Sequence, residues 1–264
     1  MINEADGLLF TCEDELRLAR EPFRPYQPKR ETVVGLGIED PPAATPVMRE
    51  AFLEKHPELR DSSYILFLSR LHEKKGVDLL LKAYANVVAK SVKTQTAAVL
   101  NGASDSKFDF ERFTLPKLVI AGPGLETVYG RALQQVVAGN KKLQAAVLFP
   151  GMLTGNMKWG AFYNCEAFVL PSHQENFGIA VVEALACGKS VLISNQVNIW
   201  REIEAGGGGM AADDTLVGTQ KLLEEWVYLS REQKETRGEQ ARETFTKYFA
   251  MKPAAQRLLE ALVK

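Results

Sequence analysis

The sequence predicts an α/β fold built on a doubly wound parallel sheet. Two observations carry that expectation. Short apolar runs recur without polar alternation, as in Tyr64–Ser69 (YILFLS) and Ala167–Pro171 (AFVLP). Such runs mark strands buried on both faces. Longer stretches with apolar residues at helical spacing separate them, and that alternation belongs to a sheet covered by helices on both sides.

The elements follow in order. Asp6–Thr11 reads as a strand, Cys12–Ala19 as a short helix and Thr32–Ile38 as a second strand. Glu39–Pro46 is a proline-rich linker that continues neither type of element. One βαβ piece is too small for its own core, so this region reads as the end of another domain. The doubly wound domain spans roughly Ser62 to Tyr248. Its strands are Tyr64–Ser69, Lys117–Ala121, Val147–Pro150, Ala167–Pro171 and Ser190–Ser194. Helices are expected over Val77–Val88 and near Leu125–Ala138, Thr154–Asn164 and Gly178–Ala186. Thr94–Phe113 reads as a long surface loop, and Gly206–Gly209 as a flexible turn after a helix at Trp200–Ala205. The tail is helical: Leu216–Leu229, a highly charged Glu232–Phe249 stretch with a solvated helix over 231–244, and a short helix at Ala254–Val263.

Composition narrows the function classes. The chain has 264 residues, 32 Lys+Arg against 33 Asp+Glu, a net charge of −1, 46% apolar and 25% charged residues. Disordered, collagenous and disulfide-scaffold proteins look different. A nucleic-acid binder would carry a basic excess, so nucleic acid is not an expected partner. No apolar run reaches the ~18 residues of a membrane-spanning helix, and Met1–Asp6 has no leader-like pattern. Cys12, Cys165 and Cys187 match no zinc spacing and read as buried, reduced thiols of a cytoplasmic protein.

In an open α/β sheet, ligands bind outside the carboxyl ends of the strands. That rule selects Arg70, Lys75 and Gly76 after the first core strand, and Gly122-Pro123-Gly124 after the second. After the fourth it selects Ser172, His173, Glu175, Asn176, Phe177 and Gly178. Arg and Lys at a sheet mouth can hold a diphosphate. Glu175 falls in a loop before a helix and Glu183 about one and a half turns inside it. The helix N-terminus can hold an anion, and a carboxylate can accept from two ribose hydroxyls. Val181, Val182, Ala184 and Leu185 around Glu183 are apolar, so this carboxylate needs a partner.

Other motifs fail. Cys187-Gly188-Lys189-Ser190 precedes a strand and lacks the first glycine of a P-loop. Gly122-Pro-Gly124 lacks the third glycine of a dinucleotide fingerprint, because position 127 is Thr. No D-x-D sequence suggests a metal–diphosphate site.

Together these residues resemble the retaining GT4-type (group 1) glycosyltransferases. Ser69-Arg70-Leu71-His72-Glu73-Lys74-Lys75-Gly76-Val77-Asp78 resembles their strand-to-helix signature, and Leu118-Val-Ile-Ala-Gly-Pro-Gly124 their second. Pro171-Ser-His-Gln-Glu-Asn-Phe-Gly-Ile-Ala-Val-Val-Glu-Ala-Leu-Ala-Cys-Gly188 resembles their E-x7-E block, the most specific of the three. The resemblance covers about Asn3 to Phe249. It implies a GT-B architecture of two Rossmann-like domains, with this chain supplying the C-terminal, donor-binding one. Residues 1–46 then read as a remnant of the N-terminal acceptor domain plus linker, 47–249 as the nucleotide-sugar domain and 250–264 as a helical tail.

By that resemblance Arg70 and Lys75 bind the donor diphosphate and stabilise the leaving group, with Glu175 as the third catalytic residue, facing the sugar. Glu183 holds the ribose, the backbone of Asn176, Phe177 and Gly178 contacts sugar or phosphate, and Gly122 and Gly124 border the donor. No metal or other cofactor is implied. The implied partners are a nucleotide-diphosphate sugar, a saccharide or lipid-linked acceptor, and an N-terminal domain on a separate polypeptide. Polysaccharide or glycolipid synthesis, in the cytoplasm or peripheral to the inner face of a membrane, is the family-level expectation. Asn195–Glu202 departs from the small residues usual in the family there. Two alternatives stay open: a nucleotide-sugar-binding fragment without transferase activity, and a Rossmann-like oxidoreductase.

Overall fold

The computed structural model describes residues 2–100 and 115–263. The chain begins with β1 (Leu8–Phe10), α1 (Glu13–Ala19) and β2 (Glu31–Val33). β1 and β2 pair in parallel as a two-stranded sheet of their own. β2 is shorter than the expected Thr32–Ile38 strand. The Val34 and Gly35 N–H groups both donate to the Phe10 carbonyl, which ends the ladder. Ile38 then pairs with the far end of the chain, donating to Phe249 O at 2.8 Å and accepting from Met251 N at 3.1 Å.

The proline-rich linker ends in a helix that its composition hid. α2 (Pro46–Leu53) starts with Pro at a position that needs no N–H donor, and the Thr45 hydroxyl accepts from Met48 N. It lies against α6 (Gly155–Asn164), burying Phe52 beside Tyr64.

The main sheet holds β3 (Tyr64–Leu68), β4 (Lys117–Ala121), β5 (Val147–Gly151), β6 (Ala167–Leu170), β7 (Ser190–Ser194) and β8 (Gly209–Ala212). Its six strands run in the order β5-β4-β3-β6-β7-β8, all parallel. Five were legible as apolar runs. β8 (GMAA) begins at the last residue of the turn expected over Gly206–Gly209, and its small residues carry no strand signature. It is fixed by register instead, with Val191 to Ser194 opposite Gly209 to Ala212.

The covering helices are α3 (Val77–Leu100), α4 (Val128–Ala138), α5 (Lys141–Ala146), α6, α7 (Ile179–Ala186), α8 (Trp200–Gly206), α9 (Leu216–Tyr228) and α10 (Arg231–Thr244). α3 overruns the start of the loop expected at Thr94–Phe113, and residues 101–114 lie outside the described residues. After a π-helical turn at Phe245–Phe249, α11 (Met251–Val263) returns to the two-stranded sheet. There Arg257 Nε donates to Val34 O at 2.9 Å, and Arg30 donates to Ala261 O.

The core is continuous across the main sheet: Phe67, Phe168, Val169, Leu192 and Ile193 have no exposed surface. Buried phenols find carbonyls, Tyr64 on Ala161 O at 2.7 Å and Tyr84 on Pro116 O at 2.8 Å. No described helix is long and apolar enough to cross a membrane.

Candidate functional site

The strand order reverses direction between β3 and β6, and ligands of doubly wound sheets bind at such a switch point. The loops leaving β3, β4 and β6 meet there. After β3, Arg70 is exposed and forms no side-chain ion pair among the described residues. His72 caps a single helical turn, Glu73–Lys75, accepting from Lys74 N at 3.1 Å. Gly76 follows with φ +65, where a Cβ would sit 2.1 Å from Pro171 O. Only glycine lets the loops after β3 and β6 lie backbone to backbone. The contact is stitched further by His173 N and Ser172 Oγ, both donating to Lys74 O at 2.8 Å.

That seam brings the predicted cation and carboxylate together. Lys75 Nζ donates to Glu175 Oε2, and the two side chains are only 13% and 20% exposed. An ion pair this sheltered is screened less by salt than a surface pair. The Glu175 backbone is held from the other side, its N–H donating to Gln196 O and its carbonyl accepting from Asn198 N, both at 3.0 Å. Gly122 closes the third side. Its φ of +140 and a Cβ position 1.8 Å from Ser69 O exclude any larger residue. The Leu71 N–H donates to Pro123 O at 2.9 Å, so Gly122-Pro123-Gly124 rests on the Arg70 loop.

α7 begins after Gly178, and its first N–H groups lack intrahelical acceptors. Phe177 is buried edge-on against Phe249, at 83° and 5.9 Å, which anchors the loop before α7. Asn176 is exposed and accepts from Asn198 Nδ2 at 3.1 Å. Glu183 has the partner its surroundings demand: Lys158 Nζ, from α6, donates to Oε1 at 2.6 Å. Sequence reasoning required that partner without naming it. The available signal was a lone cation in the apolar Met157-Lys158-Trp159-Gly160-Ala161-Phe162 run. Glu175 and Glu183 are therefore engaged by separate lysines instead of sharing one cation.

The cysteines offer no chemistry here. All three are buried and free. Burial pushes Cys12 up to about 11 and Cys165 and Cys187 up to about 12, so each stays a thiol at neutral pH. No group of three or more potential metal ligands occurs among the described residues. A cavity of about 340 Å³ opens beside Glu175. A larger groove, about 940 Å³, lies at the β8 edge against α9 and α10 and includes none of these residues. Its size reflects an open surface channel; the smaller cavity is lined by α1 and the loops after β6 and β7, and of the predicted residues it includes His173, Glu175 and Asn176.

Comparisons with known proteins bear on the family and the fold. Residues 48–244 match the family described as glycosyl transferases, group 1. A D-inositol 3-phosphate glycosyltransferase of Geodermatophilus obscurus is 27% identical over 81% of this chain and 43% of its own length. An uncharacterized glycosyltransferase of Methanocaldococcus jannaschii is 26% identical over 64% of this chain and 37% of its own. The chain thus spans less than half the length of these relatives. Among solved structures, a glycosyltransferase from Rickettsia africae superposes with a TM-score of 0.75 at 16% identity, covering 97% of this chain and 62% of that one. Anabaena HepE in complex with UDP-glucose superposes at 0.71 with 17% identity, covering 99% of this chain and 65% of that one. The fold is the Rossmann-like doubly wound sheet of GT-B glycosyltransferases. With the family's match running from α2 to the end of α10, this chain belongs to the group 1 glycosyltransferases.

Proposed function

We propose that this chain carries the donor-binding half of a retaining, GT4-type glycosyltransferase. It moves a sugar from a nucleotide-diphosphate sugar to a saccharide or lipid-linked acceptor, in polysaccharide or glycolipid synthesis. Residues 47–249 form the nucleotide-sugar unit, and 1–46 belong with the acceptor side, completed by a further domain on this or another polypeptide. The observation that carries the reading is the Lys75–Glu175 pair, set at the switch point by direct contact of the two loops.

Departure of a nucleoside diphosphate develops negative charge. Lys75, held by Glu175, and the first N–H groups of α7 are in place before the reaction, and with the exposed Arg70 they stabilise that charge as it forms. No metal is required for that role. Glu183 uses the oxygen not bonded to Lys158 to accept from the ribose. Glu175, held by Lys75, faces the sugar. The backbone of Asn176, Phe177 and Gly178 meets sugar or phosphate, and Gly122 and Gly124 border the donor. The Anabaena neighbour whose structure contains UDP-glucose supports a uridine donor.

The test is calorimetric titration of the protein with UDP and GDP. One of them should bind saturably, and Arg70→Ala or Glu183→Ala should weaken it about 10- to 100-fold, the loss of one charge-assisted contact. Variants that bind as tightly as the parent would overturn the assignment.

A further inference from the structure

α1 is docked on the main domain by a buried carboxylate. Asp14 is 3% exposed. Its Oδ2 accepts from Trp200 Nε1 at 2.7 Å, and its Oδ1 accepts from Arg201 Nε at 3.0 Å and Arg17 Nε at 3.1 Å. The Arg201 guanidinium stacks on the Trp200 ring at 4.2 Å. Glu202 adds a bond, accepting from Glu13 N at 3.2 Å. Trp200, Arg201 and Glu202 close the segment that departs from the family pattern.

This docking places Leu18 of α1 on the cavity of about 340 Å³ beside Glu175. The lining also includes the amide residues Gln174, Asn176, Gln196 and Asn198. Asn198 and Asn176 bond each other, and Gln196 Nε2 donates to Asn195 Oδ1 at 3.0 Å, leaving further donors and acceptors on the amides. Glu175 is engaged by Lys75, His173 Nδ1 lies 2.9 Å from Asp214 Oδ2, and Lys74 Nζ, outside the lining, donates to Gln174 Oε1 at 3.2 Å. No Lys or Arg lines the cavity, so its amide-rich wall suits neutral hydroxyl groups better than a carboxylate.

With the donor sugar beside Glu175 as above, we propose that Gln196 and Asn198 set which uncharged sugar is accepted, and that Asp14 is a positioning residue holding Leu18 in the cavity wall. The proposal rests on the donor reading above.

The protein and its Asn198→Ala, Leu18→Trp and Asp14→Asn variants are titrated with UDP, UDP-glucose, UDP-glucuronate, GDP and GDP-mannose. Each variant should bind the preferred nucleotide sugar about tenfold more weakly while binding of the bare nucleotide stays within about twofold. The parent should prefer UDP-glucose or GDP-mannose to UDP-glucuronate. Equal losses for nucleotide and nucleotide sugar, no loss at all, or a preference for the glucuronate overturn the proposal alone. Failure of the parent to bind any nucleotide overturns the donor reading and this proposal with it. Leu18 is 38% exposed, so Leu18→Trp keeps the test intact if Asp14→Asn does not fold.

Discussion

The two sheets of this protein are stabilised in opposite ways. The six-stranded sheet is held by apolar burial: β6 and β7 are inaccessible along their whole length. The two-stranded sheet has no such interior. Leu9 is 40% exposed and only Phe10 of β1 is buried. What fixes it is a set of polar staples to distant chain: Asp14 to Trp200 and Arg201, Arg257 to Val34 O, and Ile38 to the backbone around Ala250. Apolar burial is non-directional and tolerates small shifts, whereas staples dictate one placement. The region with the weaker core thus has the more specified position, and that region walls the cavity beside Glu175.

The contrast can be broken most forcefully from the core. Phe168→Ala should cost about 3–5 kcal/mol and lower the melting temperature of the whole molecule. Leu9→Ala, on the exposed strand, should stay within about 0.5 kcal/mol. Comparable losses at both positions, measured by chemical denaturation, would erase the distinction.

A middle-sized effect is expected from a staple. Arg257→Met removes donors to Val34 O and Tyr248 O and should cost about 1–2 kcal/mol. Amide hydrogen exchange should quicken over residues 31–38 and remain unchanged in β3 to β7. Acceleration throughout the main sheet would show that the two units open together.

The smallest effect is electrostatic. Burial raises the Glu202 pKa, with Glu13 and Asp14 adding to the rise, and its Oε2 has no hydrogen-bond partner among the described residues. A raised carboxyl contributes stability below its ordinary value of about 4.3 and loses it as pH rises through the folded value. Glu202→Gln should therefore raise the melting temperature by about 1–2 °C at pH 7 and match the parent near pH 4. Asp14 titrates in the opposite sense. Burial pulls its pKa up, but hydrogen bonds from Arg201, Arg17 and Trp200 outweigh that and hold it low. Its contribution is present at neutral pH and lost in acid, below the ordinary aspartate value. A Glu202→Gln protein no more stable than the parent at pH 7 would remove this distinction between the two carboxylates.

The same contrast explains what could be read from the amino acids. The runs YILFL, KLVIA, AFVL and SVLIS announce their burial, and the switch-point rule then selects the loops after them. β8 escaped because Gly209, Ala211 and Ala212 owe their place to neighbouring chain. α2 escaped because Pro46 reads as a breaker until it is seen to stand first in a helix. The placement of Arg70, Lys75, Glu175 and Glu183 at strand and helix ends selects them from the sequence, and of the four the structure joins Lys75 with Glu175. Their pairing was not legible: Lys158 meets Glu183 only after α6 and α7 pack. The Asp14 contact with Trp200 and Arg201 joins residues nearly two hundred positions apart, beyond any local pattern.

Gly76 has a mechanical meaning. With bare backbone resting on the Pro171 carbonyl, the two loops that carry Lys75 and Glu175 have no slack between them. Under the donor reading proposed above, a pull on Lys75 reaches Glu175 both through their ion pair and through this backbone contact, much as two meshed cogs turn together. Even one methyl group at this joint would strip the teeth, leaving both charges in the protein and unable to work as one.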